Sequence, residues 1–257
     1  MVRRAKRAVG DPSRPTTGER GGDETGSEVS SAPATFPHES AVGTSVEGRP
    51  IRAIHRPGNT DRVALILGGF HGDEPTSVAI ARRLTALLAD EPERARDAAW
   101  CIVSPVNPDG YQRRTRRNAR GVDLNRNFPT ANWAPSSPRG RMHGGPHPAS
   151  EPETRAVISI VERLRPAVIV TVHSISGDRH CNNYDGPGEA CARALHRHNG
   201  YPVRASIGYP TPGSFGTWAG HELGIPVVTL ELPSRHSARR CWLDNRDGLL
   251  SLHAALE

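Results

Sequence analysis

The chain has 257 residues, enough for one large domain with a substantial core. Hydrophobic residues make up 35% and aromatics 5%, and no apolar run approaches the about 18 residues of a membrane span. The formal net charge is +6, but residues 1–20 hold six basic and two acidic side chains, so the remainder is nearly neutral and a nucleic-acid-binding role loses its electrostatic basis.

The N-terminus, Met1 to Gly10, is basic but lacks the apolar stretch of a secretory leader, so the expected location is the cytoplasm. Residues 1–40 are rich in Arg, Gly, Ser, Thr, Pro and Glu and almost free of aliphatic side chains. Such a segment cannot bury enough apolar surface to offset its ordering entropy. We expect a disordered polar tail there, with residues 41–257 as the folded domain. Cys101, Cys181, Cys191 and Cys241 form no Cys-x-x-Cys pair. In a cytosolic protein they are expected to be reduced, with a Cys181–Cys191 disulfide as the lesser alternative.

From Gly43 the pattern becomes ordered. Thr44–Val46 and Ile51–His55 read as a β-hairpin turning at residues 47–50. The apolar run Val63–Leu67 is a buried strand, broken by Gly68 and Gly69. Thr76–Leu88 carries helical spacing, and Ala98–Ser104 is a second buried strand. Strand, helix and strand in this compass make a right-handed βαβ unit with parallel pairing.

Residues 106–147 are long and irregular, which in a compact domain marks a functional segment. A helix from Ser150 or Glu151 to Leu164 follows, then the apolar strand Ala167–Val172. Short helices are expected over Glu189–His198 and Ser214–Leu223, a fourth apolar strand over Val227–Leu230 and an amphipathic helix over Arg246–Leu256. No internal repeat is present. The fold class is α/β, a mixed and largely parallel sheet flanked by helices.

Three of the apolar strands end in residues of metal-ligand or acid–base type: His71 with Glu74, then His173, then Glu231. Alone, His71-x-x-Glu74 is equally well a loop with a local hydrogen bond. In an open α/β sheet, however, carboxyl strand ends are where ligands bind, and adjacent parallel strands would gather all four side chains at one edge. Two His and one Glu are an attested ligand set for catalytic zinc, which keeps a position open for water. His71, Glu74 and His173 would hold one zinc ion. Glu231 would take a proton from the activated water and hand it to a leaving amine.

The irregular segment adds Arg113, Arg114, Arg116, Arg117, Arg120 and Arg126. The run fits a solvated face. It also fits a site in which one arginine steadies an oxyanion beside the metal, while Asn125 and Arg126 bind a substrate carboxylate. Asp123 suits either a turn or an acceptor behind a ligand histidine. Phe215 is a candidate wall of a specificity pocket.

Taken together, His71-Gly-Asp-Glu74, Asn107-Pro-Asp-Gly110, Thr115-Arg-Arg-Asn118, Gly121-Val-Asp-Leu-Asn-Arg-Asn127, Thr171-Val-His-Ser174 and Thr229-Leu-Glu231 stand in the order found in the zinc carboxypeptidase (carboxypeptidase A-like) family. The resemblance covers residues 44–257. Gly69-Phe-His-Gly-Asp-Glu74, Leu124-Asn-Arg-Asn-Phe-Pro129 and Pro210-Thr-Pro-Gly-Ser-Phe-Gly216 are most similar to the bacterial murein tripeptide amidases within it.

The resemblance implies a carboxypeptidase A-like fold, zinc on His71, Glu74 and His173, and Glu231 as general base. It implies Arg116 as the oxyanion-stabilising arginine, with Arg117 as the neighbour open to confusion with it. Asn125 and Arg126 match the pair that binds a terminal carboxylate. Tyr209 falls near the family's mobile tyrosine, although it also suits an exposed turn between Gly208 and Pro210. The implied reaction is hydrolysis of an amide next to a free carboxylate, as in the γ-D-glutamyl–meso-diaminopimelate bond of murein tripeptide. A general metallocarboxypeptidase and an N-acyl amino acid deacylase of the succinylglutamate desuccinylase/aspartoacylase type are the alternatives. The expected partner is a small peptide, with no nucleic acid and no membrane; oligomeric state is left open.

Overall fold

A computed structural model of the chain describes residues 38–95, 97–137 and 139–252. The expected tail lies outside the described residues except for its last three, which form the start of a strand. That strand, β1 (His38–Thr44), pairs antiparallel with β2 (Pro50–Arg56), Thr44 opposite Pro50. The expected hairpin is therefore present, with its first strand displaced toward the N-terminus.

The remaining strands are β3 (Val63–Gly68), β4 (Ala99–Val103), β5 (Val168–Ile175), β6 (Cys181–Asp185), β7 (Val203–Arg204) and β8 (Val227–Pro233). All eight join one sheet in the order β1-β2-β4-β3-β5-β8-β6-β7. The centre, β4-β3-β5-β8, is parallel, while β2 and β6 run antiparallel at its two margins.

The helices are α1 (Pro75–Asp90), α2 (Pro108–Arg113), α3 (Pro152–Leu164), α4 (Glu189–Asn199) and α5 (Ala238–Leu250). Proline stands at the first position of α1, α2 and α3, where its missing N–H is no loss. α5 begins eight residues before the expected Arg246, because Ser237 caps it by accepting from Arg240 N. The expected helix near Ser214 is a π-helical segment, Gly216–Glu222.

The central strands alternate with the period of two that pleating imposes. Ala64, Ile66, Val168, Val170, Val172, Val228, Leu230 and Leu232 face one layer, where α1, α4 and α5 cover them. Leu65, Leu67, Ile169 and Val227 face the other, filled by α3, Phe70, Phe128, Phe215 and Trp218. This second layer lines up with His173 and Glu231, which are opposite one another across β5 and β8.

From β3 the chain crosses through α1 to β4 on one side, then returns through α3 to β5 on the other. The connections thus diverge at β3, which opens a crevice beyond the carboxyl ends of β3 and β5. Among the described residues, no helix is long and apolar enough to cross a membrane.

Candidate active site

Two glycines let the chain leave β3 and turn its next residues inward. Gly69 has φ +74, a conformation natural to glycine, and a Cβ there would meet Val78 at 2.8 Å. Gly72 lies so close to α2 that a Cβ would stand 1.9 Å from the Gly110 carbonyl carbon. Asn107 fixes the opposing wall by accepting from Gly110 N at 2.8 Å and donating to Phe70 O at 3.3 Å. His71 is thereby pressed into the crevice, and Glu74 sits at the start of α1.

His71, Glu74 and His173 converge. Their ligand-type atoms all lie within 4.8 Å of one another, and all three residues are buried. His71 Nδ1 stands 2.8 Å from Glu74 Oε1, and His173 Nδ1 stands 3.1 Å from Glu74 Oε2. The two Nδ1 atoms are 3.2 Å apart. Two imidazole lone pairs at that separation repel unless a proton or a metal cation lies between them. The donor set, two imidazoles and one carboxylate, suits zinc.

Asp123 organises the surroundings. It is fully buried, and its Oδ1 accepts from His71 Nε2 at 3.0 Å and from Asn125 N at 3.1 Å. Its Oδ2 accepts from Arg116 Nε at 3.0 Å. The turn and acceptor roles left open for this residue are thus both filled. Engaging Nε2 leaves His71 Nδ1 for the cluster, as a histidine ligand backed by a carboxylate requires. Burial works against every charge here. Even so, Glu74 and Asp123 hold His71 up at about 9, and His71 with Arg116 holds Asp123 well below the usual carboxylate range.

Arg116 also reaches toward the cluster, with Nη1 3.2 Å from His71 Nδ1 and 3.7 Å from Glu74 Oε1. Arg117 points elsewhere and donates to Gly140 O. Arg113 pairs with Glu47, and Arg114 lies over the Tyr111 ring. Of the arginine run, Arg116 is the one at the cluster.

Glu231 is 8% exposed and lines the same cleft, facing His173 across the strand pair. Burial raises its pKa, reinforced by Glu74 and opposed by His173. Arg126 is 4% exposed, and its Nε has no hydrogen-bond partner. Asn125 Oδ1 accepts from Phe215 N at 2.9 Å, which orients the side chain. Tyr209 lines the cleft at 36% exposure, beside Arg126.

All eight residues expected at the site therefore border one cleft of about 450 Å³. Phe215 does not: it is 1% exposed and packs on Phe70, Phe128 and Trp218. Its backbone amide, not its ring, serves the site. Asn183 and Asp185, on the cleft side of β6, were not anticipated from the sequence. The four cysteines are buried and free.

A family model described as zinc carboxypeptidase matches residues 28–185. Murein peptide amidase A of Escherichia coli strain K12 is 36% identical over 206 residues, covering 74% of this chain and 79% of the relative. The murein peptide amidase A of Vibrio campbellii is 34% identical over 205 residues, 75% of this chain and 78% of the relative. A crystal structure of murein-tripeptide amidase from Escherichia coli O157 matches with a TM-score of 0.66 and 34% identity, covering 86% of this chain and 92% of that one.

Proposed function

The chain belongs to the zinc carboxypeptidase family and is a hydrolase, and from that premise we propose that it is a murein tripeptide amidase working with one zinc ion. The bond cut is an amide next to a free carboxylate, the γ-D-glutamyl–meso-diaminopimelate bond. The observation that carries this reading is the meeting, in one cleft, of the His71–Glu74–His173 cluster with a buried arginine whose Nε is unpartnered.

His71, Glu74 and His173 would hold the zinc. When bound, zinc acts as a Lewis acid that polarises the scissile carbonyl and brings the pKa of a water toward about 7. Arg126 and the Asn125 amide grip the free carboxylate of the substrate, which aligns the neighbouring amide. Tyr209 folds over that carboxylate from its place beside Arg126. Arg116, steadied by Asp123, presents its remaining N–H groups to the oxyanion that develops on the carbonyl. Glu231 takes a proton from the attacking water on its carboxylate and delivers it to the departing amine.

The test is a substrate panel. Zinc-loaded protein is incubated with L-Ala-γ-D-Glu-meso-diaminopimelate, an ordinary C-terminal peptide and an N-acyl amino acid. The tripeptide should be cut at its γ-glutamyl bond, with activity lost to a chelator and restored by zinc. Preferential cleavage of either other compound would overturn the assignment.

A further inference from the structure

We propose that Glu151 is a positioning residue that joins the two arginine-bearing turns of the cleft, holding the Arg116 turn through Asn118 and the Arg126 turn through Ser150 and Asn127. The inference rests on the roles given above to Arg116 and Arg126 and names what keeps them in step.

Glu151 immediately precedes α3, in the N-cap position, yet its side chain makes no capping bond to that helix. Glutamate is not among the residues favoured there either. Its carboxylate is 1% exposed and reaches sideways instead. Oε2 accepts from Asn118 Nδ2 at 2.8 Å, and Oε1 accepts from Ser150 Oγ at 2.8 Å. Arg120 Nη1 stands 3.7 Å from Oε2 on a side chain that is 56% exposed. A cation held so loosely offsets little of the cost of burying a carboxylate. The start of a helix therefore does not explain the residue.

Each branch ends on an arginine turn. Asn118 Oδ1 accepts from Arg120 N at 3.1 Å and from Val122 N at 3.0 Å, which closes the turn from Arg116 to Asp123. Those two residues pair across its ends. On the other branch, Ser150 Oγ accepts from Asn127 Nδ2 at 2.9 Å, and Asn127 Oδ1 accepts from Glu151 N at 3.1 Å. Asn127 directly follows Arg126 and closes its turn, its N–H donating to Leu124 O. Glu153 makes no such bridge. Its carboxylate accepts from Asn118 Nδ2 and Val46 N, which ties the Arg116 turn to the loop between β1 and β2.

The donors explain why a carboxylate stands at the junction. Asn118 gives one N–H to Glu151 and the other to Glu153, and its oxygen is committed to the turn, so its amide is fixed. Ser150 gives its proton to Glu151 while accepting from Asn127. Both branches thus present donors, and a carboxylate offers acceptors only. Glu151→Gln keeps a carbonyl for Asn118 but meets the Ser150 hydroxyl with an N–H, so it cuts the Arg126 branch alone. Ser150→Ala cuts the same branch from its other side, and Glu151→Ala cuts both.

The two branches have separate kinetic signatures. Loosening a grip on the bound substrate raises KM, whereas displacing a group that acts on the developing oxyanion lowers kcat. Kinetics of the zinc-loaded protein on L-Ala-γ-D-Glu-meso-diaminopimelate are combined with amide hydrogen exchange over residues 116–123 and 124–129. Glu151→Gln and Ser150→Ala should raise KM about 10-fold with kcat held within about twofold, and should speed exchange over 124–129 alone. Glu151→Ala should in addition lower kcat about 10-fold and speed exchange over both segments. Folded variants that keep wild-type kcat and KM, or that respond alike whichever branch is cut, overturn the proposal. Should Glu151→Ala fail to fold, the two milder variants decide. If the wild type leaves the tripeptide uncut, the murein reading fails; the branch-by-branch exchange pattern then upholds the bridge, and its absence overturns it.

Discussion

At the scale of single residues, one carboxylate carries more of the site than its position in a turn suggests. Asp123 at once caps the turn bearing Asn125 and Arg126, fixes the ring of His71 and pins Arg116. Asp123→Asn should therefore weaken zinc affinity by about 10–100-fold, measured by competition with a chelating dye. Unchanged affinity would reduce Asp123 to a turn former. Glu231→Gln should retain zinc and lose turnover; retained hydrolysis would remove Glu231 from the base role. Burial is the leading cause of the raised Glu231 pKa, reinforced by Glu74 and opposed by His173. Activity then requires ionised Glu231, is present above its pKa and is lost as pH falls through it. The acid limb of kcat/KM should lie above the ordinary glutamate value of about 4.3. A limb at or below that value would contradict the burial argument.

The residues that were readable in advance are those whose chemistry admits few alternatives. His71, Glu74, His173 and Glu231 follow apolar runs whose strand character was plain, so their convergence could be inferred. Arg116 could be told from Arg117 by resemblance alone, since neighbours of the same type differ in nothing but direction. Asp123 was ambiguous because Gly-Val-Asp makes a good turn whether or not a histidine lies behind it. Asp185 was missed because Cys181–Asp185 reads as a polar loop.

At the scale of elements, the site depends on register and on close backbone approach. His173 and Glu231 share the pleat phase of Ile169 and Val227, so a one-residue slip of either strand would bury its functional side chain under α1, α4 and α5. The loop after β3 has no comparable freedom, because Gly72 touches α2. Gly72→Ala must push the two segments apart and should cost about 3 kcal/mol, lowering Tm by about 10 °C for a domain of this size. A variant as stable as wild type would mean that the loop can yield. The four buried apolar strands and most helices were visible because their patterns are strong. The polar β6, the two-residue β7 and the early start of α5 were not: their apolar periodicity is weak, and tertiary pairing or a cap decides them.

At the scale of the whole molecule, the strand order does not follow the order of the chain. β8 lies between β5 and β6, so β6 and β7 have no link to the rest of the sheet until the chain has continued past Val227. During synthesis, the proposed zinc ligands are complete once His173 has emerged, whereas the proposed base arrives later, with β8. A nascent chain could therefore acquire its metal while still inert, and the hydrolase would switch on only when β8 closes the sheet. Chains ending before Val227 should show neither peptide cleavage nor cooperative unfolding, as read by the tripeptide assay and by calorimetry. Activity in such a chain would show that closure by β8 is dispensable. The insertion of β8 into a central slot would thus act as a timing device, delaying hydrolytic competence until that strand has been made and placed.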